Sequence, residues 1–352
     1  MRDTNPIKFS KTKTDEAGKI LCNEQSSEEK KNEALEILSN WRAAHSYPMH
    51  IFKKRLKRVS ERIDKKALSS QRLKRVPSII KKLNRKYDGE KATMKLTQMQ
   101  DIAGCRVVMS DVKLANKIYQ EDYLKGDIKH KIINQKNYIN YPKDDGYRGI
   151  HLIYKYNSDK KKDIYNGLLV EVQIRSKLQH IWATAVETVG FFIGQAIKSN
   201  EGEEEWVSFF KLVSSAFANL ENCPPVPNTP IGEELRELIE KKEKELNVIN
   251  RMIKWNESVR LFENLKSKKN AYLFLLEIDL FQEKLTVTAY SKRQEDRAIE
   301  DYAKAEKRIY GKKEYDVVLV GVDAISDLKK AYPNYFIDNG EFIKYFKKII
   351  NK

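Results

Sequence analysis

The sequence is poor in the residues that crosslink chains or bind transition metals. Its 352 residues include only three cysteines, Cys22, Cys105 and Cys223, which lie far apart and form no CxxC pair. The five histidines show no spacing typical of zinc ligands. We therefore expect neither disulfides nor a zinc site, and a reduced, cytoplasmic location is the default expectation.

Several common motifs are also absent. The chain has no GxxxxGK[ST] P-loop, no GxGxxG motif and no GxSxG motif. No stretch approaches the roughly 18 apolar residues of a membrane helix. The polar N-terminus lacks the apolar core of a secretory signal. These absences argue against a P-loop NTPase, and we expect no membrane association.

What the chain has in excess is positive charge. It contains 67 Lys and Arg residues against 50 Asp and Glu residues, a formal net charge of +17. Such an excess attracts polyanions through phosphate contacts and counterion release. A lysine-rich composition spread over solvated faces is the alternative interpretation.

Predicted strands alternate with predicted helices, a pattern that argues for an α/β (α+β) layer fold. Residues 1–25 are polar and are predicted to form a mobile tail, and residues 26–221 form the main domain. Four prolines between Pro224 and Pro230 mark a boundary at residues 222–232. Residues 233–352 are predicted to form a second, smaller α+β domain, which starts with a long charged helix to about Lys269.

The first candidate site lies in the segment RLKRVPSIIKK. Arg72 and Lys74 fall on an extended stretch, Ser78 is predicted to cap a helix after Pro77, and Lys82 lies one turn further on. A helix N-terminus flanked by cations can bind phosphate. A basic, solvated edge is the simpler alternative.

The second candidate site is a pair of acids, Asp101 and Glu171, each placed at or in a predicted strand. If the strands are neighbours, the two carboxylates could hold Mg²⁺ between them and a triphosphate. Two ordinary surface acids are the alternative.

The third candidate site is the irregular loop YPKDDGYRGIH, from Tyr141 to His151. Gly146 permits a close backbone approach, and Tyr147 can stack on a nucleobase. The side chains of Lys136, Lys143 and His151 can contact phosphate. A packed ring with no ligand is the alternative for Tyr147.

Four motifs occur in order: R-x-K-x-x-x-S-I-x-x-K from Arg72, D-I-x-G-x-R from Asp101, K-x-Y-I-x-x-P-K-x-x-G-Y-x-x-I-H from Lys136, and E-V-Q-I-R from Glu171. This order resembles the synthetase domain of RelA/SpoT proteins, the alarmone synthetases, over about residues 41–194. The resemblance implies a nucleotidyltransferase-like fold with a mixed β-sheet flanked by helices. It also implies transfer of the β,γ-pyrophosphate of ATP to the 3′-hydroxyl of a purine nucleotide, with release of AMP.

The resemblance also implies a role for each motif residue. Those expected to bind ATP are Arg72 and Arg106 on the adenine, with Lys74, Ser78 and Lys82 on the phosphates. Asp101 is expected to ligate Mg²⁺, and Glu171 to ligate Mg²⁺ or act as general base. Tyr147 is expected to stack on the acceptor base, with Lys136, Lys143, His151 and Arg175 on the acceptor side.

Two positions depart from the family pattern. Asn137 stands where the family usually has Asp, and Asp145 stands where it usually has Asn. An added carboxylate beside the acceptor base weakens the expectation that free GDP or GTP is the acceptor. No His-Asp hydrolase motif precedes the domain, so alarmone degradation is not expected.

The C-terminal residues resemble those of fused toxin–antitoxin proteins of the CapRel type. That resemblance implies pyrophosphorylation of the tRNA 3′-CCA end, inhibition in cis by Tyr332 and Tyr335 of YPNY, and release by a phage protein bound to the C-terminal domain. A turn packed under the last helix is the alternative for YPNY. The alternative functions are an alarmone synthetase acting on GDP or GTP and a catalytically dead module that binds RNA or a phage protein.

Overall fold

The computed structural model describes most of the chain. The described residues are 6–87, 90–91, 93–159, 162–196, 203–258, 260–262, 271–279, 282, 284–310, 312, 315–322, 331 and 339–350. Its helices are α1 (Lys11–Leu21), α2 (Glu28–Ala44), α3 (Ser46–Ile63), α4 (Val76–Leu83), α5 (Val112–Ile118), α6 (Lys177–Ala196), α7 (Glu203–Leu220), α8 (Gly232–Leu246), α9 (Val248–Ser258), α10 (Glu295–Ile309) and α11 (Gly340–Ile350). Its strands are β1 (Leu68–Leu73), β2 (Lys86–Tyr87), β3 (Glu90–Lys91), β4 (Ala103–Met109), β5 (Lys131–Asn137), β6 (Ile150–Lys155), β7 (Leu169–Ser176), β8 (Arg260–Phe262), β9 (Ala271–Asp279), β10 (Lys284–Ser291) and β11 (Tyr315–Gly321).

The N-terminal segment is helical where a mobile tail was predicted. The Ser10 side chain accepts the backbone N–H of Lys13 and begins α1. Ala17 and Leu21 are buried in the main core, and α1 packs on α2. The prediction missed this helix because only four of its eleven residues are buried, and of these only Ala17 and Leu21 are apolar enough to mark a stripe.

Nine strands form one mixed sheet in the order β5-β6-β7-β4-β1-β11-β9-β10-β8. Five of these strands, β5, β6, β7, β4 and β1, come from the part of the chain that carries the four motifs. The antiparallel pairing of β1 with β11 joins them to the C-terminal strands, with Arg72 opposite Val320. The C-terminal segment therefore adds its strands to the sheet of the main domain. The domain division at residues 222–232 itself stays a prediction.

The two faces of this sheet have different neighbours. Along β4, Cys105 and Val107 point toward α3, where the Cys105 thiol donates to the Met49 carbonyl at 3.2 Å. Because side chains alternate along a strand, Gly104 and Arg106 point to the opposite face. The register places Glu171 and Gln173 of β7 beside them on that face. The sheet thus separates the candidate site from α3.

Two other predicted boundaries differ from the structure. The long helix predicted from Glu233 breaks at Asn247, which adopts a left-handed conformation with φ 49° and ψ 47° between α8 and α9. Ser78 is not a helix cap: α4 begins at Val76, with Arg75 at the capping position and Pro77 in the first turn. Proline is tolerated there because first-turn N–H groups need no helical partner.

A membrane helix was not expected, and in the described residues no helix has the length and apolar character to cross a bilayer.

Candidate active site

A cleft opens on the sheet face opposite α3. Its lining includes Arg72 and Lys74 at the end of β1, Asp101 just before β4, Arg106 on β4 and Glu171 on β7. The two predicted acids and the two predicted adenine-binding arginines therefore share one cleft. It encloses about 70 Å³ in this structure, well below the roughly 300–1,000 Å³ of typical small-molecule sites.

Asp101 is held by two lysines. Its carboxylate accepts from the Lys74 ammonium at 2.9 Å and from the Lys82 ammonium at 2.8 Å. Burial by itself would raise the pKa of Asp101, but the two positive charges outweigh it and lower the pKa. The carboxylate is thus ionised, and α4 and the end of β1 present their cations to one point.

Glu171 ends a chain of hydrogen bonds that starts at Arg175. The Arg175 guanidinium donates to the Tyr147 hydroxyl at 2.8 Å, which lies 2.5 Å from His151 Nε2. His151 Nδ1 lies 2.8 Å from Glu171 Oε1. A neutral imidazole protonated on Nδ1 satisfies both contacts, because it accepts from the phenol and donates to the carboxylate.

The protonation states of Glu171 and Tyr147 follow from their surroundings. Desolvation tends to raise the pKa of Glu171, as does nearby Asp101, but the hydrogen bonds from His151 and Gln173 favour the carboxylate and the pKa is lowered. Burial raises the pKa of the Tyr147 phenol despite the nearby Arg175 cation. The hydrogen-bonded groups therefore include a Glu171 carboxylate that can accept a proton and a Tyr147 phenol that stays protonated.

The loop that carries Tyr147 is fixed from both sides. Gly146 has φ 92°, a conformation that favours glycine, and a Cβ there would lie 2.9 Å from the Ser214 side chain. The Tyr147 ring lies under two cations, with the Lys143 ammonium 5.0 Å and the Arg175 guanidinium 5.1 Å from its centroid. Tyr147 is half-buried, so part of its ring remains accessible.

The two departures from the family pattern have local backbone roles. Asp145 Oδ1 accepts the N–H of Tyr147 at 2.9 Å, and Asn137 Oδ1 accepts the N–H groups of Ile139 and Asn140 at 3.0 and 3.2 Å. An asparagine at position 145 has the same acceptor oxygen. The negative charge of Asp145 is therefore not needed for this turn.

Two predicted residues lie apart from the cleft. Lys136 is an exposed residue on β5, opposite His151 in the register, rather than in a loop. Ser78 is half-buried on α4 and is not among the described residues that line the cleft. Their assignments to acceptor and ATP phosphates stay predictions.

The prediction missed two residues that face the site. Gln173 donates to Glu171 Oε2 at 2.7 Å, and strand alternation already places it on the same face as Glu171 and Arg175. Glu187 lies on α6 near the guanidinium groups of Arg72 and Arg106. Desolvation tends to raise the pKa of its carboxyl, but these positive charges outweigh it and the pKa is lowered. No short-range pattern pointed to Glu187, because α6 reaches the site only through tertiary packing.

The C-terminal segment contacts the cleft. The Arg106 guanidinium donates to the carbonyl of Ala331, and Arg75 forms an ion pair with Asp316 of β11. Ala331 directly precedes Tyr332. Tyr332 and Tyr335 themselves lie outside the described residues.

The acidic pair matches what Mg²⁺ uses in nucleotide-dependent enzymes. Mg²⁺ prefers hard oxygen ligands and is commonly bound by one or two carboxylates together with substrate phosphates and water. In the described residues no group of three or more His, Cys, Asp or Glu side chains could hold a metal ion. The donor chemistry of Asp101 and Glu171 therefore fits a metal that is held jointly with a nucleotide.

The basic helix α3 lies on the face of the sheet away from the cleft. Met49, Phe52 and Leu56 bury its apolar stripe against that reverse face, so its exposed cations point away from the cleft.

The part of the chain that carries this site is similar to known proteins. The family described as "Region found in RelA / SpoT proteins" matches residues 71–189. The GTP pyrophosphokinase YjbM of Bacillus subtilis is 30% identical over 120 residues, or 34% of this chain and 54% of the relative. The GTP pyrophosphokinase YwaC of the same organism is 32% identical over 121 residues, 33% of this chain and 54% of the relative. The match thus spans about half the length of these curated relatives.

Solved structures of similar proteins include small alarmone synthetase 1 of Bacillus subtilis bound to its product pppGpp. It is 24% identical, has a TM-score of 0.42, and the match covers 51% of this chain and 90% of that chain. Small alarmone synthetase 2 of Bacillus subtilis is 21% identical with a TM-score of 0.42, and covers 52% of this chain and 93% of that chain. Residues 71–189, which carry Arg72, Asp101 and Glu171, are thus similar to the region found in RelA/SpoT proteins.

Proposed function

We propose that this chain is an ATP-dependent pyrophosphokinase that moves the β,γ-pyrophosphate of ATP to a 3′-hydroxyl. The observation that carries the proposal is the cleft in which Asp101 and Glu171 lie among Arg72, Lys74 and Arg106. Two acids among cations suit a reaction in which positioning and charge neutralisation supply most of the catalysis.

Each residue then has a physical role. The 3′-oxygen forms a bond to the β-phosphorus of ATP, the bond from that phosphorus to the α,β-bridging oxygen breaks, and AMP leaves. Glu171 accepts the hydroxyl proton, since its carboxylate is ionised and oriented by His151 and Gln173. Arg72 and Arg106 stack on adenine, Lys74 and Lys82 neutralise the phosphates, and the Ser78 hydroxyl donates a hydrogen bond to them.

The remaining site residues position the acceptor. Tyr147 stacks on the acceptor base, and Lys136, Lys143 and His151 face the acceptor phosphates. Arg175 lies on the acceptor side, where it donates to the Tyr147 hydroxyl. Asp101 and Glu171 would hold Mg²⁺, which when bound neutralises charge on the phosphate oxygens. The lysines that now contact Asp101 would then turn to the phosphates.

The acceptor that we propose is the 3′-CCA end of tRNA. The net charge of +17 and two exposed cations suit a polyanionic substrate: Lys143, whose ammonium lies 5.0 Å from the Tyr147 ring centroid, and Lys136, opposite His151 in the strand register. The added carboxylate of Asp145 on the same loop disfavours a free, highly charged guanosine nucleotide. GDP or GTP is the second candidate acceptor, because both curated relatives are named GTP pyrophosphokinases.

The test uses the full-length protein with γ-³²P-ATP and either deacylated tRNA or GDP and GTP. Label on tRNA supports the first candidate, and label on the guanosine nucleotide supports the second. The absence of label on both, also for variants in which the proposed inhibition is removed, would contradict the enzymatic function.

Asp145→Asn is expected to shift acceptor preference toward GDP and GTP by about tenfold in relative kcat/KM, roughly 1.4 kcal/mol. The substitution keeps the oxygen that accepts the Tyr147 N–H and removes one negative charge next to the acceptor. Asp144→Asn removes the same charge from the neighbouring residue and serves as control. An unchanged preference in Asp145→Asn would exclude Asp145 as a determinant of specificity.

We also propose that the C-terminal segment inhibits the site in cis and that a phage protein bound to it relieves this inhibition. The support is the small cleft and the contact of Arg106 with Ala331, which directly precedes YPNY. Truncation of the protein at residues 222–232 would remove β11 and leave one edge of β1 without its partner strand. Point substitutions avoid this damage to the sheet and therefore test the inhibition more directly.

Replacing both Tyr332 and Tyr335 with alanine is expected to raise pyrophosphate transfer at least tenfold, because stacking on Arg72 or Arg106 would then be lost. Label transfer by the full-length variant is compared with wild type and with Tyr345→Ala, a tyrosine on α11. Equal rates in all three proteins would refute inhibition by YPNY.

A further inference from the structure

A second cationic feature lies on the sheet face remote from the cleft. An open groove of about 950 Å³ runs between α3 and residues 127–130, and we call it the reverse-face groove. Seven of its twelve lining residues are Lys or Arg, and two are acidic. This balance suits an anionic partner, and a groove that is open to solvent can admit an extended one.

Two arginines of α3 are hydrogen-bonded to the opposite side of the groove. Arg62 binds both oxygens of the buried Asp122 carboxylate, at 2.7 and 2.8 Å, and Arg55 donates to the Asp122 carbonyl at 3.2 Å. Asp122 belongs to the π-helical turn Tyr119–Leu124, which follows α5 and precedes the 127–130 segment. The two arginines therefore tie both sides of the groove together before any ligand arrives.

Three other cations remain available for a ligand. Lys54, Arg58 and Lys65 are solvent-exposed and make no ion pair with another described residue. Lys54, Arg58 and Arg62 follow one another at i, i+4 spacing, so they form a stripe along one face of α3. A stripe of exposed cations at regular intervals matches the repeating charge of a phosphodiester backbone.

The groove also offers a neutral ring. His130 Nδ1 accepts the N–H of Asn157 at 3.2 Å, and its ring stacks on Tyr156 with centroids 4.9 Å apart. Desolvation and the positive charges of Lys129 and Arg55 lower the pKa of His130. A neutral ring that accepts at Nδ1 carries its proton on Nε2, where it can donate to a phosphate or a 2′-hydroxyl.

The edge strand β5 links the groove to the acceptor side of the cleft. The segment at residues 127–130 leads directly into β5, and β5 ends near Lys136, opposite His151. β5 is the terminal strand of the sheet, and seven residues span about 20 Å at ~3.3 Å per residue. Lys129, Lys131 and Lys136 are exposed along this path.

We propose that the reverse-face groove binds the sugar-phosphate backbone of an RNA whose 3′ end reaches the cleft around β5. The inference rests on the proposed function, since it supplies a second anchoring surface for an RNA acceptor. A mononucleotide acceptor would occupy the cleft alone and gain nothing from the groove.

The test is the double charge reversal Lys54→Glu with Arg58→Glu. Both side chains are exposed, so the fold is expected to persist, which circular dichroism checks. Lys241→Glu with Lys244→Glu on α8 is the matched control, with the same charge change on another helix. Fluorescence anisotropy measures binding of labelled deacylated tRNA across a salt series, and γ-³²P-ATP measures transfer to tRNA and to the trinucleotide CCA.

The groove variant is expected to bind tRNA at least tenfold more weakly than the control variant, and its salt slope should fall by about 2 because two phosphate contacts are lost. Transfer to tRNA below saturation should fall in parallel, with transfer to CCA unchanged. Equal tRNA binding by the two variants would overturn the groove proposal, even if wild type labels tRNA. The transfer assay tests the acceptor separately: label on GDP or GTP but not on tRNA would refute tRNA as the acceptor. In that case, weaker tRNA binding by the groove variant but not by the control variant would still support RNA binding in the groove.

Discussion

Replacement of Glu171 by glutamine is expected to lower pyrophosphate transfer by roughly 10²–10⁴-fold, the range for loss of a general base. Glutamine keeps the size of the side chain and can still accept from His151 Nδ1, which lies 2.8 Å from Glu171 Oε1. What it loses is the charge that accepts the hydroxyl proton. The defect should therefore appear in kcat, with the KM for the acceptor little changed.

Single-turnover release of AMP from α-³²P-ATP measures this step directly. Glu204→Gln on α7 changes an exposed glutamate in the same way and should leave the rate unaltered. Thermal unfolding of Glu171→Gln should match wild type, because the carboxylate is replaced by an isosteric polar group. Turnover near the wild-type rate would remove Glu171 from the role of base.

The second large effect concerns stability. Glu306 of α10 is buried, forms an ion pair with the buried Arg42 of α2, and accepts the N–H of Val76 at 3.0 Å. The Arg42 guanidinium also lies 4.7 Å from the Tyr302 ring centroid. Burial by itself would lower the pKa of Arg42, but the charge of Glu306 outweighs it and raises the pKa. Glu306 therefore joins α10 to α2 and to the first turn of α4, the helix that carries Ser78 and Lys82.

Glu306→Ala should lower the free energy of unfolding by about 3–5 kcal/mol, because it leaves a buried guanidinium without its counter-charge. Urea denaturation followed by circular dichroism measures the change. The double variant Arg42→Met with Glu306→Met should be less destabilised than Glu306→Ala, since it removes both charges. A single variant that loses less than about 1 kcal/mol would show that the pair contributes no more than an exposed one.

Much of the site follows from local patterns. Period-2 alternation placed Glu171 and Arg175 on one face of a strand, and Gln173 lies between them on the same face. The loop before β6 was identified from Gly146 and Tyr147, and the structure gives Gly146 the positive φ that glycine permits. Such features depend on neighbours a few residues away, so the sequence carries them directly.

Other features depend on contacts between distant residues. Periodicity assigned the strands beyond residue 232 to a separate unit, but it does not say which strand pairs with which, and β11 joins β1. Likewise, an apolar stripe on α3 predicts burial without saying which sheet face receives it. The sequence therefore does not say whether the exposed cations of α3 lie beside the cleft. The fold decides this, because it places α3 on the reverse face of the sheet.

The amino-acid sequence alone thus determined the motifs, the face that each strand residue occupies and the chemistry expected of Asp101, Glu171 and Tyr147. The tertiary structure decided that Asp101 is held between Lys74 and Lys82, that Glu306 reaches the first turn of α4, and that the C-terminal strands extend the sheet. The physical reason is range: side-chain alternation is fixed by the local backbone, whereas strand order and buried ion pairs are chosen by the packing of the whole chain.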